Sequence, residues 1–204
     1  MNKQHATRQR LLDIALKLIW ASSYGNVTVD DICKAGKISK SSFYHFFKNK
    51  SELAVAAYEA HWQKIAPEYN RMFSALLPPL ERLANFCAYV ENGMRSLADE
   101  TGKVPGCPYM LAGAELSLID EDMRLQIQRL FGRITRYIEQ ALRDAKHEGL
   151  IDSNIDPRAM AEDLYAFALG LQLQAKVRNE PELLRRLETT MLIMIGAKAL
   201  KKAA

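Results

Sequence analysis

The chain has 204 residues, of which 49% are hydrophobic and 25% charged, and this ordinary globular composition excludes a disordered or fibrous protein. It shows no apolar run long enough to cross a membrane and no secretory leader pattern, so we expect a cytoplasmic protein with no membrane partner. The net charge of +4 is uneven, because residues 1–50 carry nine Lys or Arg against three Asp, giving +6, and the remainder carries −2. This distribution is typical of a nucleic-acid reader with a separate second function, although a solvated basic surface is the alternative.

Helical periodicity recurs almost everywhere along the chain and no alternating strand pattern appears, so we predict an all-α fold. The first helix is predicted from about Arg8 to Ser22. Its apolar stripe, which would pack against the next two helices, consists of Leu11, Leu12, Ile14, Ala15, Leu18 and Ile19.

Residues 28–50 place two short helices around a tight turn. Thr28 and Ser39 are residue types that cap helix amino termini, and Ala35-Gly36 stands where two helices can meet closely. The second short helix is unusually polar for a buried element. Its apolar anchors are Phe43, Phe46 and Phe47, and its polar side chains are Lys40, Ser41, Ser42, Tyr44 and His45. The pattern predicts a helix-turn-helix whose second helix contacts a polar partner.

A longer helix is predicted from near Lys50 to about Phe73, with a kink or break at Pro67 because proline removes a helical hydrogen-bond donor. Further helices are predicted to begin at Pro78-Pro79, Cys107-Pro108, Asp120, Asp156-Pro157 and Pro181. We therefore divide the chain into a first domain at residues 1–50, a connecting helix at 51–74 and a larger helical domain at 75–204.

The segment Tyr44-His45-Phe46-Phe47, followed by Lys48-Asn49-Lys50-Ser51-Glu52-Leu53, resembles the recognition-helix signature of TetR-type bacterial transcriptional regulators. The resemblance covers about residues 7–60. It implies a three-helix DNA-binding domain at 1–50 and an effector-binding and dimerisation bundle at 75–204. One position departs from the family pattern, because Gly36 comes one residue early and Lys37 stands where the family usually has glycine. A lysine with positive φ is disfavoured.

The same resemblance implies a one-component transcriptional regulator, a repressor that releases its operator when a small-molecule effector binds the C-terminal domain. One recognition helix has too few base-reaching side chains for specific binding, so we expect a homodimer on an imperfect palindrome in double-stranded DNA. A helical adaptor without DNA binding is the alternative from a different class. We expect no enzymatic activity and no cofactor, because the sequence has no GxSxG, no HExxH and no phosphate-cradling glycine loop.

The candidate DNA contacts lie in and around the second short helix. We expect Lys40, Ser41 and Ser42 to face base edges or the groove. The resemblance places Tyr44 and His45 near sugar and phosphate, where both can donate hydrogen bonds. The complete predicted set is Thr28, Lys40, Ser41, Ser42, Tyr44, His45, Lys48 and Lys50. The alternative is an ordinary surface residue, or for Tyr44 a core residue.

The larger domain carries weaker signals. Apolar faces of the last two helices are expected to pair across a dimer axis, with burial inside one chain as the alternative; these faces are Leu164, Ala168, Leu171, Ala175, Leu184, Leu187, Met191 and Ile195. The predicted effector pocket, for which plain core is the alternative, consists of Phe86, Tyr89, Met94, Cys107, Met110, Tyr165 and Phe167.

Gly106-Cys107, followed after seven residues by Glu115-Leu116, resembles a segment found in a branch of these regulators, some of which respond to electrophiles or oxidants. Cys107 would stand at a helix amino terminus, where the dipole favours a thiolate, and Lys176 is expected to approach it. Thiol-based sensing by Cys107 is therefore a second hypothesis, with an inert buried thiol as the alternative. The three cysteines lack the spacing of a metal site, so we predict no bound metal.

Overall fold

The computed structural model describes residues 3–197 of the chain. These residues contain nine α-helices and one 3₁₀ turn, joined by short loops, and no strand occurs among them, which confirms the predicted all-α fold. The helices are α1 Lys3–Ser22, α2 Val29–Gly36, α3 Lys40–Phe46, α4 Lys50–Met72, α5 Pro79–Thr101, α6 Pro108–Leu116, α7 Glu121–His147, α8 Pro157–Arg178 and α9 Arg186–Met194, with the 3₁₀ turn Pro181–Arg185 before α9. The first two positions of the predicted domain 1–50 and the last seven of 75–204 lie outside the described residues.

The described residues fold as two compact units. The first unit contains the chain up to residue 67 together with 108–131, and the second contains 68–107 and the chain from 132 onward. One boundary follows Pro67, where a kink or break was expected, yet α4 continues past this proline without a break. The functional division into 1–50, 51–74 and 75–204 stays a prediction, since the compact units interleave along the chain.

In the first unit, α1 supplies one wall of a small core. Leu11 and Ala15 are fully buried, and α1 packs against α2, the first of the two helices that its apolar stripe was predicted to contact. Phe43 is fully buried and Phe47 nearly so, which fixes α3 by two aromatic anchors. Each such side chain contributes about 2 kcal/mol by leaving water. This core leaves the remaining faces of α3 free to carry polar side chains.

The turn between α2 and α3 is built from Gly36 and Lys37. Gly36 is buried, and a Cβ on it would lie 3.1 Å from the Cδ1 atoms of both Ile14 and Ile38, so the close approach selects glycine there. Lys37 closes α2 in the left-handed region at φ 50° and ψ 44°. The glycine therefore occupies the tightly packed position, and the lysine accepts the conformational cost of the left-handed one.

The second unit has an aromatic core and an ion pair whose arginine is buried. Tyr69 contacts the rings of Phe73, Phe86, Tyr89 and Tyr137, with centroid separations between 5.6 and 6.4 Å. The guanidinium of the buried Arg82 donates to the Asp144 carboxylate and to backbone carbonyls of the loop before α5. Breaking such a pair strands a buried charge, so these contacts define where α5 begins relative to α7.

The residues predicted to form a dimer interface on the last two helices are core residues, so that prediction is wrong for these residues. The eight apolar residues proposed for them are all buried within this single chain, with relative exposures no greater than 5%: Leu164, Ala168, Leu171, Ala175, Leu184, Leu187, Met191 and Ile195. The opposite side of α8 instead exposes Leu173 and Val177, and α9 exposes Ile193. Helical spacing identified an apolar face correctly, but it could not distinguish a core face from an interface because both are apolar.

Candidate nucleic-acid interface

α3 is a short helix capped and anchored so that its polar face projects outward. The hydroxyl of Ser39 accepts a hydrogen bond from the Ser42 amide at 3.2 Å, which confirms the predicted cap. Phe43 is fully buried, whereas the next residue, Tyr44, keeps 57% of its surface exposed. His45 is also exposed. The core alternative for Tyr44 is therefore excluded in this chain.

Each exposed aromatic of α3 is held by the ring beside it. The Tyr44 ring stands edge-on to Phe43 at 5.1 Å between centroids, and the His45 ring stands edge-on to Phe46 at 4.9 Å. Such contacts restrict the ring without using the polar atom. The phenol and the imidazole are therefore ordered groups that remain available to donate hydrogen bonds outward.

The basic residues around α3 differ in whether their side chains already have a partner within the chain. Lys40 is exposed and forms a 2.7 Å ion pair with Asp30, whose hydrogen bond and negative charge raise the pKa of the lysine. The Lys48 side chain is exposed, and its backbone amide donates to Glu52 at 2.7 Å. The Lys40–Asp30 pair is exposed on both sides, so separating its two charges costs little.

Thr28 caps the amino terminus of α2. Its hydroxyl accepts from the Asp31 amide at 3.1 Å, and the Asp31 carboxylate accepts from the Thr28 amide at 2.9 Å, forming a capping box. The hydrogen bond from the Thr28 side chain holds the pKa of Asp31 below its usual range. The predicted cap is confirmed, and a contact from this hydroxyl to DNA stays a prediction.

Lys50, proposed from sequence as a phosphate contact, is turned inward. Its ammonium donates to the carbonyls of Tyr24 at 2.9 Å and Val27 at 2.7 Å, and it lies 3.9 Å from the centroid of the Tyr24 ring. Burial lowers the pKa of Lys50, and the nearby Glu115 carboxylate opposes this shift. With its donors used inside the first unit, Lys50 fixes the loop between α1 and α2. The helical pattern gave no sign of this role, because the acceptors are backbone atoms.

Glu115 is the residue near the interface that sequence reasoning missed. Although it lies in α6, about ninety positions later in the chain, its carboxylate accepts from the amides of Tyr24 at 3.0 Å and Gly25 at 2.6 Å. The Ser51 hydroxyl donates to Asp120, which also caps α7 by accepting from the Met123 amide at 3.0 Å. The first unit therefore includes α6 and the start of α7, which support the loop between α1 and α2 and the start of α4.

The predicted pocket residues are divided between the two units. Met110 belongs to the first unit and the other six to the second. Phe86 and Tyr89 share the Tyr69 ring as a neighbour, and burial, followed by the Glu68 charge, raises the pKa of Tyr89. Met94, Cys107 and Tyr165 are buried, and Phe167 is half-buried. Their common role in one pocket stays a prediction.

The loop that leads to Cys107 is anchored to the last turn of α8. The Asn179 side chain accepts from the Val104 amide at 2.9 Å and donates to the Gly102 carbonyl at 3.1 Å. The Lys176 ammonium donates to the Pro105 carbonyl at 2.9 Å, and its aliphatic chain lies against Gly106. Lys176 therefore lies beside the two residues that precede Cys107, and a role for it in thiol chemistry stays a prediction.

The other two cysteines are poor candidates for thiol chemistry. Burial raises the pKa of Cys87 to about 12, and its thiol donates to the Met191 sulfur at 3.5 Å. Burial also raises the pKa of Cys33. Both thiols are therefore disfavoured as thiolates, the reactive form. Among residues 3–197, no three His, Cys, Asp or Glu side chains are grouped to hold a metal ion.

An all-α chain with a capped, aromatic-anchored helix that projects polar side chains after a tight turn defines a helix-turn-helix regulatory protein. None of the helices in the described part of the chain is both long and apolar enough to span a membrane. Two family models match the sequence. "Bacterial regulatory proteins, tetR family" matches residues 11–57, and "Tetracyclin repressor-like, C-terminal domain" matches residues 79–191. The chain belongs to the TetR family and is a DNA-binding transcriptional regulator.

Relatives extend the match over most of the chain. The transcriptional regulator AcuR of Cereibacter sphaeroides is 31% identical over 175 residues, covering 85% of this chain and 78% of AcuR. The HTH-type transcriptional repressor NemR of Escherichia coli is 28% identical over 188 residues, covering 89% of this chain and 91% of NemR.

Solved structures agree with this assignment. A regulatory protein TetR from Rhodobacter sphaeroides superposes with a TM-score of 0.81 at 30% identity, covering 90% of this chain and 95% of that one. The reduced form of Escherichia coli NemR superposes with a TM-score of 0.76 at 26% identity, covering 95% of this chain and 100% of that one.

Proposed function

We propose that this regulator is a homodimeric repressor that holds an imperfect palindrome through two copies of α3 and releases it when a small molecule binds the second unit. The observation that carries the proposal is the outward polar face of α3 on its buried Phe43 and Phe47 anchors. The relative NemR is named a transcriptional repressor, which supports the sign of regulation. Effector binding would favour the conformation with the lower operator affinity.

The exposed residues of α3 divide into two roles. Lys40 and Ser41 are exposed in the first turn and Ser42 is half-buried there, so these three are assigned to base edges or the groove. Tyr44, His45 and Lys48 are exposed near the end of the helix and are assigned to sugar and phosphate. Lys50 is assigned to holding the helices in place, and Thr28, which caps α2, is kept as a candidate contact to DNA.

An exposed apolar strip on the second unit supports the dimer. Leu173 and Val177 are four positions apart on α8, and exposed Ala166 and Gly170 continue the same spacing. A Cβ at Gly170 would meet nothing within 4 Å in the single chain. Small and aliphatic residues on one helical face allow close helix pairing across a two-fold axis. In helix-turn-helix dimers the two reading helices then enter major grooves about 34 to 36 Å apart.

Selection from a random duplex pool tests this function directly. The full-length protein is incubated with the pool at low salt, and bound fragments are sequenced after several rounds. We expect an enriched palindrome whose two half-sites are separated by about one helical turn of DNA. No enriched sequence, with a fully folded protein, would contradict the proposal and favour the adaptor alternative.

A second candidate function is operator release by modification of Cys107. It is favoured by the placement of Lys176 against Gly106 and by the raised pKa values of the other two thiols. A cationic group close to a thiol stabilises the thiolate, the species that electrophiles attack, and the Lys176 ammonium donates to the carbonyl of Pro105, two residues before Cys107. The similar NemR of Escherichia coli has been solved in a reduced form.

The thiol hypothesis is tested with N-ethylmaleimide on the DNA-bound protein. Release should be lost in Cys107→Ser and retained in the matched control Cys87→Ser. Equal release from both variants would assign the effect to another group and leave the reversible-ligand proposal in place.

A further inference from the structure

The loop between α1 and α2 is held from two sides by oppositely charged groups. Its amides at Tyr24 and Gly25 donate to the Glu115 carboxylate of α6, at 3.0 and 2.6 Å. Its carbonyls at Tyr24 and Val27 accept from the Lys50 ammonium at the start of α4. All of these residues belong to the first unit. A loop that would otherwise satisfy its polar groups with water is thereby tied to two further helices.

This loop determines where the helix-turn-helix begins. Val27 is buried, and the following residue, Thr28, caps α2. A shift of the loop therefore moves the start of α2 and, through the tight turn, α3. A displacement of about 1 Å is enough to break hydrogen bonds between the side chains of α3 and base edges.

We propose that Glu115 is a positioning residue for DNA binding, through which α6 holds the α1–α2 loop, and with it α3, in the operator-binding conformation. The inference rests on the proposed function. Glu115 is the penultimate residue of α6, so the position of this helix determines where the carboxylate meets the loop. Release of the carboxylate from the two amides would loosen the loop without altering any DNA-contacting side chain.

If Glu115 acted only through its charge, its removal would raise the affinity for DNA, which is the opposite of the effect expected from a positioning residue. DNA is a polyanion, so removal of an exposed carboxylate strengthens binding when the residue has no positioning role. Loss of affinity on removal of this negative charge therefore reports the hydrogen bonds to the loop. The matched control is Asp122→Asn, which removes an exposed carboxylate from the first turn of α7 in the same unit.

The experiment measures the affinity of the full-length protein for the duplex selected above, for wild type, Glu115→Ala and Asp122→Asn. We expect Glu115→Ala to bind at least about threefold more weakly, with an unchanged salt slope, because two hydrogen bonds to a charged acceptor are lost but no phosphate contact is. Asp122→Asn should bind as well as wild type or slightly better. Undiminished affinity of Glu115→Ala would overturn the inference while leaving the proposed function intact. Failure of wild type to bind any duplex would refute the proposed function itself.

A substitution at Gly25 supplies a second test of the same hydrogen bonds, from the side of the loop. A methyl group on Gly25 would lie 3.0 Å from the Glu115 carboxylate oxygen, so in Gly25→Ala the carboxylate has to move away from the loop by a few tenths of an ångström. Gly25→Ala should weaken operator binding in the wild-type background. In the double variant with Glu115→Ala it should have no further effect, because the carboxylate that the methyl group would meet is no longer there. Additive effects of the two substitutions would contradict the inference.

Amide hydrogen exchange separates positioning from general destabilisation. In Glu115→Ala, exchange should accelerate at the Tyr24 and Gly25 amides, while the buried amides of α1 stay protected. Uniform acceleration throughout the first unit would show that Glu115 only stabilises the fold and would overturn the assigned role.

Discussion

Lys37 shows at the scale of one residue how this chain satisfies a family turn with an unusual sequence. The position needs a left-handed conformation, which the lysine adopts at φ 50°. The neighbouring Gly36 is closely packed, because a Cβ there would require the Ile14 and Ile38 side chains to move by a few tenths of an ångström. Two requirements that a single glycine often meets are thus divided between adjacent positions.

Replacement of Lys37 by glycine should stabilise the protein. The left-handed conformation costs a side-chain-bearing residue about 1 kcal/mol, and glycine removes most of that cost despite its greater freedom in the unfolded chain. We expect a gain of about 0.5 kcal/mol in the free energy of unfolding by chemical denaturation. Lys34→Gly, inside α2, serves as the control and should destabilise. A loss of stability in Lys37→Gly would show that the lysine makes a compensating contact.

His61 gives the first unit a pH-dependent stability. Burial, followed by the charge of Lys64, lowers the pKa of His61 from 6.5 to about 4, and its Nδ1 lies 2.8 Å from the Tyr109 hydroxyl. The folded pKa is depressed, so the unfolded state binds more protons between these two values. Stability is therefore present above pH 6.5 and lost as pH falls toward 4, by about 2 kcal/mol at pH 5. Wild type should lose more stability than His61→Gln over this interval, and parallel curves would contradict the account.

In the proposed function α3 contacts the DNA, and substitutions at its two ends should have different effects. Tyr44→Phe removes an exposed hydroxyl while keeping the edge contact with Phe43, so the helix remains folded. We expect weaker binding to all duplex sequences alike, by about 1 kcal/mol for one lost hydrogen bond to phosphate. Ser41→Ala should instead change the preferred sequence. Equal affinity and preference in both variants would contradict the assigned roles.

Helix positions were predictable from the sequence to the extent that local signals define them. The caps Thr28, Ser39 and Asp120 were all identified, because each residue type satisfies free amides in the turn that follows it. The roles of Lys50 and Glu115 were not, since their partners are backbone atoms distant in sequence. No pattern of side chains records such a contact.

At the scale of the whole molecule, helical periodicity in the sequence does not distinguish a dimer interface from the core. The apolar faces selected from sequence are core, and the exposed Leu173 and Val177 lie on a different side of α8. A core face has more and larger apolar residues than an interface face. The periodicity of the core face of α8 is therefore the clearer one in the sequence, and the exposed strip on its other side was not recognised.

The two faces of α8 predict opposite outcomes for substitution. Val177→Glu places a charge on the exposed strip and should yield a folded monomer with at least about tenfold weaker operator binding, because two half-sites are no longer joined. Leu171→Ala lies in the core and should cost about 2 to 5 kcal/mol of stability. Sedimentation and thermal unfolding distinguish the two. A dimeric Val177→Glu protein would place the interface elsewhere.

The central claim, that two copies of α3 read DNA through base and phosphate contacts, is tested most directly by the salt dependence of binding to the selected palindrome. The affinity of wild type should fall steeply as salt rises, because each neutralised phosphate releases counterions. Lys48→Gln in both protomers should make the slope shallower by about 2, roughly one unit for each lost phosphate contact. Affinity that is independent of salt, or equal for the palindrome and a scrambled duplex, would contradict the account.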